Sequence, residues 1–191
     1  MKTVAQAISR IFDPIIEIPV MFGLTVWYAY VNGHSWLFLS VLLFINAVLP
    51  FLFFLHLLRK KEIHDWDIRR RKERIPVYAF ALVTQIAGIG MALLTGRTAV
   101  ANILLIFWIL GLLFFLITLH WKVSVHAGVN AALVTFLVMI FGVEFFWFYI
   151  ILLPVGWARI SQGNHTVSEF TAGATLGALG IWGGFTLFGL V

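Results

Sequence analysis

The chain of 191 residues has no cysteine, which excludes disulfides, thiolate catalysis and cysteine-held metals. Charge is also scarce. Only 11% of the residues are Asp, Glu, Lys or Arg, where an ordinary soluble domain carries roughly a quarter. Zinc hydrolysis lacks both an H-E-x-x-H pair and enough clustered ligands. Asp65-Trp-Asp67 is too sparse for the Asp-rich N-x-x-x-D motifs that hold magnesium diphosphate in prenyl transfer, and no second aspartate cluster exists. The four-aspartate order of CDP-alcohol transfer, D-x2-D-G-x2-A-R, is missing too. His56, His120, His126 and His165 fall near span ends, which disfavours a haem buried between helices. No low-complexity tract or linker interrupts the chain. The N-terminal stretch does not read as a cleavable signal, because Asp13 and Glu17 break its apolar run.

What is present is apolar: 62% of residues are hydrophobic. They recur in runs near the ~20 residues a helix needs to cross a hydrocarbon core of about 30 Å. Alternating segments of about 10 residues, the mark of a membrane barrel, are absent. The pattern predicts an all-α polytopic transmembrane helix bundle of six to seven spans, in one integral-membrane domain over residues 1–191. The spans fall at about 14–32, 36–58, 76–95, 99–119, 123–142, 143–158 and 167–190. The sixth is short and is parted from the fifth only by Gly142-Val143-Glu144. Residues 1–12 suggest an interfacial helix, and Asp13-Pro14 suits a helix start. Loops at 33–35 and 96–98 are minimal, and 59–75 is the one long polar segment.

The cations give the orientation. Twelve of the 13 Lys and Arg residues fall on one side of this topology, with Arg97 alone opposite. The positive-inside rule turns the twelve-cation face to the cytoplasm. The net charge of +5 therefore reflects membrane orientation and lipid phosphate, and nucleic acid is not an expected partner. Gly173-x-x-x-Gly177 and Gly180-x-x-x-Gly184 in the last span are small-residue spacings with two uses, packing within the chain or a homodimer interface. The first is the favoured use.

Three polar constellations sit on the cation-rich face. The first is His64-Asp65-Trp66-Asp67-Ile-Arg69-Arg70-Arg71-Lys72-Glu73-Arg74, where Arg71 and Arg74 are three apart and can converge on a phosphate if helical. Anionic lipid alone would also explain such a cluster. The second is Lys122-Val-Ser124-Val-His126, read as a helix start. Ser124 is the N-cap, amides and Lys122 face an anion, and His126 in the first turn can protonate a leaving oxygen. The third is Arg159-x5-His165-x3-Glu169. His165 and Glu169 share a helix face, so the carboxylate can fix one imidazole nitrogen and leave the other as a nucleophile. Arg159 offers a planar fork for phosphate oxygens. Taken singly, each constellation is also explained by helix capping or headgroup contact.

Together the motifs resemble the integral-membrane type 2 phosphatidic acid phosphatase superfamily, whose pattern is K-x6-R-P, then P-S-G-H, then S-R-x5-H-x3-D. Ser124-Val-His126 looks like the middle motif and Ala158-Arg159-x5-His165-x3-Glu169 like the last. The likeness is to small bacterial and archaeal members with a D-x-x-x-R-x-E-R-like first motif, and it covers residues 65–173. Asp67 stands where the family has Lys, Ile75 displaces Pro76, Val125 replaces Gly and Glu169 replaces Asp. Two spans part the first motif from the second, where many members keep both in one loop.

The resemblance implies a hydrolase in the plasma membrane of a prokaryote. It would act on a lipid phosphate such as phosphatidate, phosphatidylglycerol phosphate or an isoprenyl diphosphate, with no metal and no cofactor. By the same likeness His165 is the nucleophile, Glu169 its orienting partner and His126 the general acid, while Arg74, Lys122, Ser124 and Arg159 hold the phosphate, with Arg71 beside Arg74. A cytoplasmic site would differ from the outward-facing site common in the family. The rival reading is a catalytically inactive lipid-binding or scaffold protein of the same fold. A transporter is a weaker rival, since its mid-membrane charges are missing.

Overall fold

A computed structural model describes residues 2–29 and 36–190. The loop expected at 33–35 and the end of the first span, 30–32, lie outside the described residues. The protein is an all-α, polytopic integral-membrane helix bundle, with no strand among the described residues. Its helices are α1 (Lys2–Ile11), α2 (Pro14–Ala29), α3 (Trp36–Leu43), α4 (Leu49–Arg59), α5 (Arg74–Leu94), α6 (Thr98–Thr118), α7 (Val125–Phe141), α8 (Leu152–Ser161) and α9 (Val167–Leu187). A π-helical turn at Phe44–Val48 joins α3 to α4, and 3₁₀ turns at Arg71–Glu73 and Val143–Ile151 lead into α5 and α8. Six stretches are long and apolar enough to cross a membrane, and α7 is a shorter apolar helix.

Two stretches depart from regular α-helix. At Phe44–Val48 the Asn46 Nδ2 donates to the Leu42 carbonyl at 3.0 Å, so a side chain inserts where the backbone ladder would run. The sixth span begins as nine residues of 3₁₀ helix. The tighter coil rises about 2.0 Å per residue against about 1.5 Å in α-helix, so Val143–Ser161 reaches roughly 33 Å. The segment that looked too short by residue number is therefore long enough. By the same measure α7 spans only about 25 Å.

The chain divides into two compact units, residues 1–21 with 122–191, and residues 22–121. In the second unit, α5 lies along α6. Trp108 Nε1 donates to the Leu82 carbonyl at 3.1 Å, and Phe53 stacks on Phe80 at 4.2 Å. The polar loop is pinned from beneath: Ile63 is buried with Phe54 and Leu57, and Trp66 meets both Phe51 and Phe54 edge-on.

The first unit is built on α7 against α9. A Cβ on Gly177 would collide with the Gly128 carbonyl, and one on Gly173 with the Ser124 carbonyl, so the two backbones touch at both glycines of α9. Half of the glycine stripe is thus used inside the chain. Phe136 and Phe185 close this interface edge to face, 5.5 Å apart, and the Thr135 and Tyr149 hydroxyls pair at 2.6 Å to tie in the 3₁₀ arm. Ile8 and Phe12 of the N-terminal segment pack on Ala127, Val155 and Phe170.

Gly177→Val should lower the thermal unfolding midpoint sharply, by the 1–3 kcal/mol or more that overpacking costs. Gly183→Ala, whose Cβ meets nothing within 4 Å, should change stability by no more than about 0.5 kcal/mol, apart from the gain in helix propensity. Melting of the two variants in detergent checks the contrast.

Candidate active site

The second and third constellations meet in the first unit. Lys122 Nζ donates to the Asn164 carbonyl at 2.6 Å, and the Ser124 amide donates to the Glu169 carbonyl at 3.1 Å. Two loops 40 residues apart in the chain are thereby fastened at one end of the α7–α9 pair.

Ser124 is the N-cap of α7, as its sequence position suggests. Its extended backbone turns the Oγ to accept the Ala127 amide at 3.3 Å, and the residue is fully buried. That hydroxyl keeps its own hydrogen to donate.

The turn from α8 to α9 carries the rest. Gly163 takes a positive φ of 68°, which lets the chain reverse tightly. The amides of Asn164 and His165 then double back to the Arg159 carbonyl at 3.0 and 3.3 Å. Arg159 is 1% exposed and His165 5% exposed. A guanidinium and an imidazole are thus held deep at the same turn.

Thr166 is the N-cap of α9, and Thr166-x-x-Glu169 forms a complete capping box. Glu169 Oε2 accepts from the Thr166 amide at 3.1 Å and also faces His165 Nδ1 at 2.9 Å. A carboxylate can only accept, so His165 donates to it through Nδ1. The helix cap that fixes Glu169 therefore also fixes the imidazole.

Beside His126 the first unit holds polar residues not foreseen as site residues. Asp13 Oδ1 accepts the Ile15 amide at 3.0 Å and so starts α2, while its Oδ2 pairs with Arg10 at 3.2 Å and lies 3.9 Å from His126 Nε2. One turn on, the Glu17 carboxyl takes Asn130 Nδ2 at 2.9 Å. The same Nδ2 lies 2.8 Å from the His126 carbonyl and 3.3 Å from that of Phe12. Asp13, Glu17, His126 and Asn130 are all buried. Asp13, read from the sequence as a helix start, and Glu17, read as a break in an apolar run, thus lie in the same buried polar group as a candidate catalytic histidine.

Arg71 and Arg74 lie in the second unit, where each holds the polar loop in shape. Arg71 Nη1 donates to the carbonyls of Thr118, at 3.0 Å, and Leu119. Arg74 is buried and its Nε donates to the Ile68 carbonyl at 2.9 Å. That contact supports a strained residue, because Ile68 has φ of 44°, a region β-branched side chains avoid. Glu73 is taken up by His64 Nδ1 at 2.8 Å and Arg70 at 3.3 Å. Asp65 accepts the Arg69 amide at 3.3 Å, a turn contact within the loop. Among the described residues no three His, Asp or Glu side chains gather to hold a metal ion.

No protein-family model matches this chain, and no curated protein or solved structure matches it at a significant level.

Asn130→Ala should destabilise the protein by about 2–3 kcal/mol, since it strips a buried carboxyl and a buried carbonyl of their donor. Thr166→Ala should cost about 1 kcal/mol as a lost cap. Denaturation in mixed micelles measures both.

Proposed function

We propose that the protein is a membrane lipid-phosphate phosphatase, a divergent relative of the type 2 phosphatidic acid phosphatases, and that it works through a phospho-histidine. The observation that carries this reading is the pairing of buried His165 with Glu169 at 2.9 Å, on the turn that also buries Arg159 and receives Lys122.

In the first step His165 Nε2 attacks phosphorus and the P–O bond to the lipid breaks. Glu169 holds the Nδ1 proton and the positive charge that develops on the ring. His126 gives its proton to the departing alkoxide. Asp13, through its pairing with the ring, keeps His126 oriented. Arg159, Lys122 and the Ser124 hydroxyl stabilise the charge on the phosphoryl oxygens. In the second step a water loses its proton to the now neutral His126 and attacks phosphorus. The P–N bond breaks, phosphate leaves and both histidines return to their starting state.

The site lies at an end of the first unit's helices, beside the loop that bears Lys122 and the last turn of α8 that bears Arg159, and this suits a substrate whose headgroup meets the membrane surface. The candidate substrates are a phosphate monoester or diphosphate of a lipid: phosphatidate, phosphatidylglycerol phosphate or an isoprenyl diphosphate. The cation distribution favours a cytoplasmic site. Arg71 and Arg74 are not needed for this reading, since each donates to a backbone carbonyl within the second unit.

Phosphate release from a panel of those lipids, with and without EDTA, is the test. His165→Ala should abolish release while the protein stays folded, and EDTA should have no effect. His126→Ala should slow lipid substrates by about 10²–10⁴-fold, yet slow p-nitrophenyl phosphate far less, because that leaving group needs no proton. Asp13→Asn should show the same leaving-group pattern more weakly. Wild-type protein that releases no phosphate from any of the panel would leave the scaffold reading in its place.

A further inference from the structure

We infer that the Asn164 side-chain amide is a binding group for a phosphoryl oxygen, a positioning role that rests on the phosphatase reading and extends it to a residue that reading does not use. Three buried asparagines occur among the described residues: Asn46, Asn130 and Asn164. Asn46 donates through Nδ2 to the Leu42 carbonyl, and Asn130 shares its Nδ2 among three acceptors. Asn164 is 2% exposed, and neither its Oδ1 nor its Nδ2 has a protein partner. Burial of a primary amide with both ends unpaired costs free energy, and a fold retains it where something else completes the bonds.

The backbone of Asn164 is held from two sides. Its amide donates to the Arg159 carbonyl at 3.0 Å and its carbonyl accepts Lys122 Nζ at 2.6 Å. It directly precedes His165 in the chain. The residue with the unpaired amide is therefore tied to Arg159, Lys122 and His165, three of the residues assigned to the phosphoryl centre. A primary amide supplies two N–H donors, which suit P–O⁻, and a carbonyl oxygen that accepts from water or P–OH. Unlike Lys122 and Arg159 it adds no charge, so its contribution is direction.

Leucine shares the γ-branched shape of asparagine, at a larger volume, without its polar atoms, so Asn164→Leu separates a ligand role from a structural one. The detergent-solubilised variant should melt at or above wild type, because the unpaired amide is gone. Its affinity for inorganic phosphate and for a short-chain phosphatidate in micelles should each fall about tenfold or more. Asn164→Asp should lose at least as much, since a carboxylate cannot donate and repels phosphate, and it carries the test if the leucine variant fails to fold. Unchanged affinity for both probes would overturn the inference while leaving the phosphatase reading intact. A loss confined to phosphatidate would also overturn it, because the amide would then meet the glycerol. Wild-type protein that binds neither probe would sink the phosphatase reading together with the inference.

Discussion

The bare-backbone contact between α7 and α9 is the constraint on which the rest of the first unit depends. Gly173 against the Ser124 carbonyl and Gly177 against the Gly128 carbonyl bring two helices closer than any side chain allows. Only at that separation does the Ser124 amide reach the Glu169 carbonyl. In a bilayer, lipid tails are as apolar as the helix faces, so close packing and interhelical hydrogen bonds must supply the association. The same contact that stabilises the helix pair also sets the spacing of the two polar loops at its end.

Glu169 links that packing to chemistry. One carboxylate oxygen receives both the cap amide of α9 and the His165 ring. Helix capping locks the carboxylate rotamer, and the locked carboxylate sets the imidazole tautomer. The arrangement is preorganised: little need move when charge develops on the ring. The glutamate side chain is long enough to reach back to the N-cap amide and complete the capping box.

Much of the fold was legible in the sequence because a bilayer imposes a length and a polarity on every crossing. The break at Asp13-Pro14, the glycine stop at 142 and the Ser124 cap each followed from local chemistry. The 3₁₀ arm at Val143–Ile151 did not, since an apolar aromatic run carries no mark that chooses between two coils and packing decides. The capping box at Thr166 is spelled T-x-x-E in the sequence, and its glutamate is shared with the four-residue spacing to His165. Neither Asp13 beside His126 nor Glu17 on Asn130 could be read from spacing, because each pairing joins residues more than 100 positions apart. Arg71 and Arg74 show the reverse: a spacing that suits phosphate also serves to fasten a loop to nearby carbonyls.

The account stands or falls on a covalent bond between phosphorus and His165. Rapid quench of the protein with a ³²P-labelled lipid phosphate, followed by peptide mapping, measures it most directly. The expected result is an acid-labile, base-stable label on the peptide that contains His165, with none in His165→Ala. A label on another residue, or turnover with inversion at phosphorus and no trapped adduct, would contradict the mechanism.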